Sequence, residues 1–116
     1  MNKETRDYIK SRLFDLETMD FEQYQKDFIK RIPHAYFPIR RDSIETLNSY
    51  VLNGTTPGSF ILAVLCNDLW LTFSKADDDN LKRVFATIYY VHNCLPRESW
   101  GSESAVKNWI ENYHKK

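Results

Sequence analysis

The sequence predicts an all-α domain, and three observations carry that prediction. Apolar residues recur with a 3.6-residue period along most of the chain, and few stretches alternate strictly as a half-buried strand does. Only three glycines and four prolines punctuate 116 residues. Hydrophobic residues make up 42% of the chain, with 7 Phe, 7 Tyr and 3 Trp, which is enough to bury a core in a chain of single-domain length.

Taken in order, the first segment, from about Thr5 to Glu17, places Tyr8, Ile9, Leu13 and Leu16 on one side. Asp20 is a good N-cap for a second segment carrying Phe21, Tyr24, Phe28 and Ile32 at helical spacing. Pro33 and Pro38 bias the residues before them toward extended geometry, so "RIPHAYFPIRR" (31–41) reads as an aromatic loop with basic ends. Asp42 opens a third helix, with Glu45 as its capping-box partner, Ile44, Leu47 and Val51 as its apolar face and Asn53-Gly54 as its stop. Thr56 and Pro57 suit the N-cap and first turn of a central helix running to about Lys75. Asp77 to Asp79 then cap a helix that ends near Asn93 and carries Leu81, Val84, Phe85, Ile88 and Val91 inward. A last helix from Ser102 or Ser104 aligns Val106, Trp109, Ile110 and Tyr113, with Lys115 and Lys116 suited to its C-terminus. The expectation is a compact bundle of about six helices. A helical N-terminal hairpin and basic loop (1–41) would dock on a four-helix module (42–116).

The totals exclude several classes. The chain has 16 basic and 16 acidic residues, and neither half is basic, so nucleic acid ranks behind a protein or a small anion as the expected partner. Cys66 and Cys94 form no CxxC or Cys/His cluster and read as reduced, buried hydrophobes. The N-terminus has no apolar signal core, and the central apolar run, 60–65, is far short of a ~20-residue membrane span. A cytoplasmic location without membrane contact is expected. No HExxH, GxSxG, Walker A or GxGxxG pattern occurs, and His34, His92 and His114 are scattered. The expectation is a non-enzyme with no cofactor or metal, the acidic run 77–79 being a solvated helix start.

Three features stand out as candidate sites. The backbone N–H groups of Gly58, Ser59 and Phe60, at the start of the central helix, have the generic anion-binding geometry, against simple capping by Thr55 or Thr56. Asn67 and Asp68 interrupt an apolar stretch. A buried unpaired carboxylate is costly, so Asp68 must be paired or wet. Either one of the two faces solvent at the helix flank while the other bonds a neighbouring helix or loop, with an Arg, an indole N–H or loop N–H groups near Trp100, Gly101 and Ser102 as partner for Asp68, or the pair helps bind a ligand. The loop 30–41 interleaves Lys30, Arg31, His34, Arg40 and Arg41 with Tyr36 and Phe37. Such a set can stack bases and hold phosphates, or act as an interface hot spot; the alternative is that Tyr36 and Phe37 plug the core. Among the tryptophans, Trp70 is the one expected to be exposed, on a partner or homo-oligomer face.

Four blocks also resemble a family of small phage and prophage proteins: "PGSFILAVLCNDL" (57–69), "ADDDN" (76–80), "YYVHNCLP" (89–96) and "WGSESAVKNWI" (100–110). The family pattern is PxGxFLxAVLxN[DN]L, then ADxxN, then YxxNxxP and WGSxxxVxxW, and it covers about half the chain. This sequence departs from it in having Pro57 directly before Gly58, Ile61 at a common Leu position, and an N-terminal extension of about 40 residues. The resemblance implies a mobile-element accessory protein that acts by binding, antagonising host defence by blocking a host factor or sequestering a small anionic ligand. On that implication the ligand site would combine Gly58, Ser59, Phe60, Asn67, Asp68, Trp100, Gly101 and Ser102.

Overall fold

Side-chain caps set the first helices. In the computed structural model, which describes residues 1–112, Asn2 accepts from the Thr5 N–H at 2.8 Å and opens α1 (Lys3–Arg12). Asp20 accepts from the Gln23 N–H at 3.0 Å and opens α2 (Phe21–Arg31). The first helix is shorter than its periodicity predicts. Leu13 leaves it in extended backbone and, with Phe14, enters the core, and the Phe14 N–H is taken instead by the Tyr90 hydroxyl at 3.0 Å. Tyr8, expected inward, is exposed. Phe14, Phe21 and Tyr24 form an aromatic cluster that joins the post-α1 turn to α2.

A 3-10 turn at Pro33–Ala35 leads to α3 (Arg41–Asn53). The capping box expected of Asp42 and Glu45 does not form. Asp42 is drawn to Arg40 at 2.6 Å and Glu45 to Arg41 at 3.5 Å, so Arg40 takes the N-cap position with no side-chain cap bond. Gly54, at φ 69°, ends the helix as expected.

The single central helix expected from Thr56 to Lys75 is two helices, α4 (Ser59–Leu65) and α5 (Leu69–Lys75). Gly58, not Thr56, holds the N-cap position of α4, and Pro57 lies before it. The break is built by Asn67 and Asp68. Asn67 adopts φ 58°, the left-handed conformation that Asn tolerates better than most residues. Its N–H bonds Val64 O at 3.1 Å, and the Asp68 N–H bonds Ala63 O at 3.0 Å. That pair of bonds is a Schellman C-cap with Asn in the glycine position. The Asp68 carboxylate then accepts from the Leu71 N–H at 2.9 Å and starts α5.

Asp77 caps α6 (Asp78–Lys82), and Arg83 separates it from α7 (Val84–Cys94). Arg83 is fixed by Asp79 at 3.1 Å and Pro38 O at 2.8 Å. The break resets the helical register, so α7 buries Ala86, Thr87, Tyr90 and Val91. Leu81, Phe85 and Ile88, expected inward, are exposed. After a second 3-10 turn (Arg97–Ser99), the Ser102 hydroxyl accepts from the Ala105 N–H at 3.0 Å and α8 (Glu103–Asn112) follows. Tyr113, His114, Lys115 and Lys116 lie outside the described residues.

The fold is all-α. Among the described residues eight α-helices replace the expected six, because two of the expected helices are each broken once. One apolar cluster runs from Ile9, Leu13, Phe14 and Phe28 through Ile44, Leu47 and Val51 to Leu65, Tyr90, Val91 and Val106. Tyr90 fixes its middle, donating to Asn48 Oδ1 at 2.7 Å while Asn48 donates to Phe14 O at 2.8 Å. The body measures 41 × 34 × 18 Å. Its thickness is about two helix diameters of ~10 Å, so an outer helix has one covered side.

Candidate functional site

The short helix α5 has an inverted pattern. Its sequence, LWLTFSK, buries one residue, the polar Thr72, whose hydroxyl donates to Asp68 O at 2.7 Å. Leu69 is 75% exposed, Trp70 81%, Leu71 47% and Phe73 64%. The cause is the Asn67–Asp68 break: with a fresh start at Asp68, Thr72 is the residue that falls on the buried side of α5, whose main neighbour is α4. At 100° per residue, Trp70 points away from Thr72 and the body of the protein. Counting about 150–250 Å² for an exposed aromatic side chain, these four side chains present on the order of 500 Å² of apolar surface, near the top of the ~300–600 Å² found for the largest patch on a typical monomer.

Beside this helix runs a groove of about 580 Å³ between α4, α5 and α8. Its floor is Leu62, Ala63, Cys66, Leu71, Val106 and Ile110. Its rim carries both signs, with Asp68, Glu103 and Glu111 against Lys75 and Lys107. Burial, and then the charges of Glu103 and Asp68, push the Cys66 thiol above its ordinary value, so it sits in the groove protonated and unreactive at neutral pH. A volume in the range of about 300–1,000 Å³ with a mostly apolar lining matches ligand and peptide clefts in general.

Of the residues singled out in the sequence, the groove brings together Ser59 and Asp68. Gly58 and Phe60 open on a different depression, shared with Arg40, Asp42 and Asp77. Gly58 has φ −66°, and a Cβ added there would meet nothing within 4 Å, so the fold does not need glycine at this place. Asn67 is exposed, and its contribution is its backbone conformation. The Asp68 carboxylate is a helix cap rather than the partner of an Arg or an indole. The Trp100–Ser102 turn docks on the far end of α4, where the Gly101 N–H donates to Leu65 O at 2.7 Å. Arg97 lies 4.2 Å over the Trp100 ring and donates to Trp100 O at 2.6 Å, and Gly101 is held at φ 116° beneath it. The helix start and this turn are therefore at opposite ends of α4.

The basic loop is divided by the fold. Arg40 contacts Asp42, Asp79 at 3.3 Å and Asp77 at 4.0 Å, and the hydrogen bond to Asp42 above all holds its guanidinium charged. Arg41 pairs with Glu45, donates to Leu16 O at 3.3 Å and lies over Phe21. Arg31 stacks on Tyr89, while Lys30 is exposed. Tyr36 and Phe37 do not plug the core. Tyr36 is 75% exposed at the unusual φ of 62°, and Phe37 is also exposed, with Lys82 and Arg83 each 5.7 Å from its ring centroid. The arginines of this loop mostly tie helices together rather than stand free.

Trp70 was legible in the sequence as an exposed tryptophan; Leu69, Leu71 and Phe73 were not. The available signal was that 69–73 has a single polar residue and so no polar side to turn to water. Among the described residues no cluster of metal-ligating side chains occurs, and no helix is long and apolar enough to cross a membrane. No family model, curated protein or solved structure matches the chain.

Proposed function

We propose that this chain is a non-catalytic binding module that recognises protein through α5 and the groove beside it. The observation that carries this reading is the apolar exposure of Leu69, Trp70, Leu71 and Phe73 on a helix whose only buried residue is Thr72. Large exposed apolar patches with aromatic anchors and a polar rim mark protein-binding surfaces. The four phage-like sequence blocks support placing the module among mobile-element accessory proteins, with a host defence factor as a candidate target. A small anion is less well served: the groove is apolar, three carboxylates stand on its rim, and the groups around Gly58 include Asp42 and Asp77. Nucleic-acid binding would have to rely on Lys30, Arg31 and Tyr36, because Arg40 and Arg41 are engaged with carboxylates.

A photo-crosslinking amino acid at position 70, expressed in a bacterial host and compared with one at the exposed, remote position 22, tests the reading. A discrete protein adduct from position 70 alone is the expected result. A folded protein that gives no adduct from position 70 would overturn it.

A further inference from the structure

We infer that the surface formed by α5 is completed by a second copy of this chain, Trp70 of each copy entering the α4–α5–α8 groove of the other. This rests on the protein-binding reading of α5 and names its partner.

Three observations carry the inference. The first is placement. Trp70 is 81% exposed, and Leu71, the next residue of the same short helix, lines the groove. Knob and receptor therefore lie side by side, about 100° apart on one helix. A two-fold axis beside α5 satisfies both insertions at once and closes the assembly. Had they been on opposite sides of the molecule, the same contact would run head to tail and build rings or open chains instead of a closed pair.

The second observation is size. The groove of about 580 Å³ has room for an indole ring with Leu69 or Phe73 beside it. The exposed α5 side chains, on the order of 500 Å², together with the walls they would cover, approach the ~800 Å² that each partner contributes to a standard interface.

The third is charge. The chain carries 16 basic and 16 acidic residues, so two copies meet without net repulsion, a condition that favours self-association. The groove rim carries both signs, so rim residues of two copies can pair around the apolar centre.

Sedimentation equilibrium of the purified chain and two single variants tests this. Wild type should show a concentration-dependent monomer–dimer equilibrium. Trp70→Ala removes the knob from an exposed site and should weaken association by on the order of 30-fold or more, as loss of a central tryptophan anchor does. Lys107→Trp fills the groove from its exposed rim and should weaken association comparably. Mixing the two variants should restore heterodimer, because one knob then meets one open groove. A wild type that is monomeric up to ~100 µM would overturn the inference, as would a dimer indifferent to both variants. The two readings fail separately: a monomeric chain that still crosslinks from position 70 to a different protein would leave the binding function standing and remove the second copy.

Discussion

Asn67 and Asp68 are two adjacent residues with opposite tasks. Asn67 ends one helix by adopting φ 58°, and Asp68 starts the next with a carboxylate on the Leu71 N–H. Asn67→Gly should leave stability unchanged or slightly raised, because glycine visits the left-handed region freely. Asn67→Ala should cost about 1–2 kcal/mol, the penalty of a Cβ in that region. Asp68→Ala should cost about 1 kcal/mol for the lost cap. Urea titrations of the three variants would check the order. If Asn67→Ala proved as stable as wild type, the left-handed break would be wrong. At the centre of the molecule, Tyr90 accepts from the Phe14 N–H and donates to Asn48. Tyr90→Phe keeps the ring but leaves the buried Phe14 N–H without its acceptor and the half-buried Asn48 without its donor, so a loss of about 1–3 kcal/mol is expected in the same titration.

At the scale of elements, α5 is cheap for the fold and expensive in exposed surface. Because Trp70 is 81% exposed, Trp70→Ala should shift monomer stability by no more than ~0.5 kcal/mol, while a buried apolar residue of α3, such as Leu47 at 0% exposure, should lose about 2–5 kcal/mol on truncation to Ala. Far-UV circular dichroism through thermal melts, at a concentration where the wild type is monomeric, would separate the two. A large destabilisation by Trp70→Ala would mean that α5 is held down by its tryptophan and is part of the core. The contrast follows from what each helix buries: α3 contributes Ile44, Leu47, Tyr50 and Val51 to the apolar cluster, whereas α5 buries only Thr72.

Over the whole molecule, alkaline pH should find the core's weak point. Burial pushes the Tyr24 phenol up to about 12, and burial also raises Tyr50 and Tyr90. In the unfolded chain these phenols ionise near 10. Between pH 10 and 12 the folded state therefore retains protons that the unfolded state has lost, so stability is intact below 10 and falls as pH rises through that window. Thermal midpoints measured from pH 8 to 12 should be level and then drop steeply above 10. A flat profile would show that the three hydroxyls are not confined, contrary to the bonds Tyr50 makes with Ser99 O at 2.6 Å and Tyr90 with Asn48. The N-terminal segment is tied into the same core, since Phe14 bonds Tyr90 and Arg12 donates to Asn93 O at 3.0 Å.

What the sequence determined by itself was local: helical class, the starts at Asp20 and Asp77, the stop at Gly54, and an exposed Trp70. Each depends on residues within a turn of one another, where capping and periodicity act. Tertiary structure alone decided which sides are buried. The periodicity of 81–91 is continuous in sequence, but the break at Arg83, anchored on the distant Pro38 carbonyl, turns Phe85 and Ile88 outward. Likewise 57–75 reads as one helix, because nothing local requires Asn67 to be left-handed. That conformation goes with the burial of Thr72 and leaves Leu69, Trp70 and Phe73 mostly exposed. The groove was beyond the sequence for the same reason: Leu62, Leu71 and Val106 share a wall only once α4, α5 and α8 have packed. Which apolar residues meet is set by contacts between distant segments, and those are what a linear pattern does not contain.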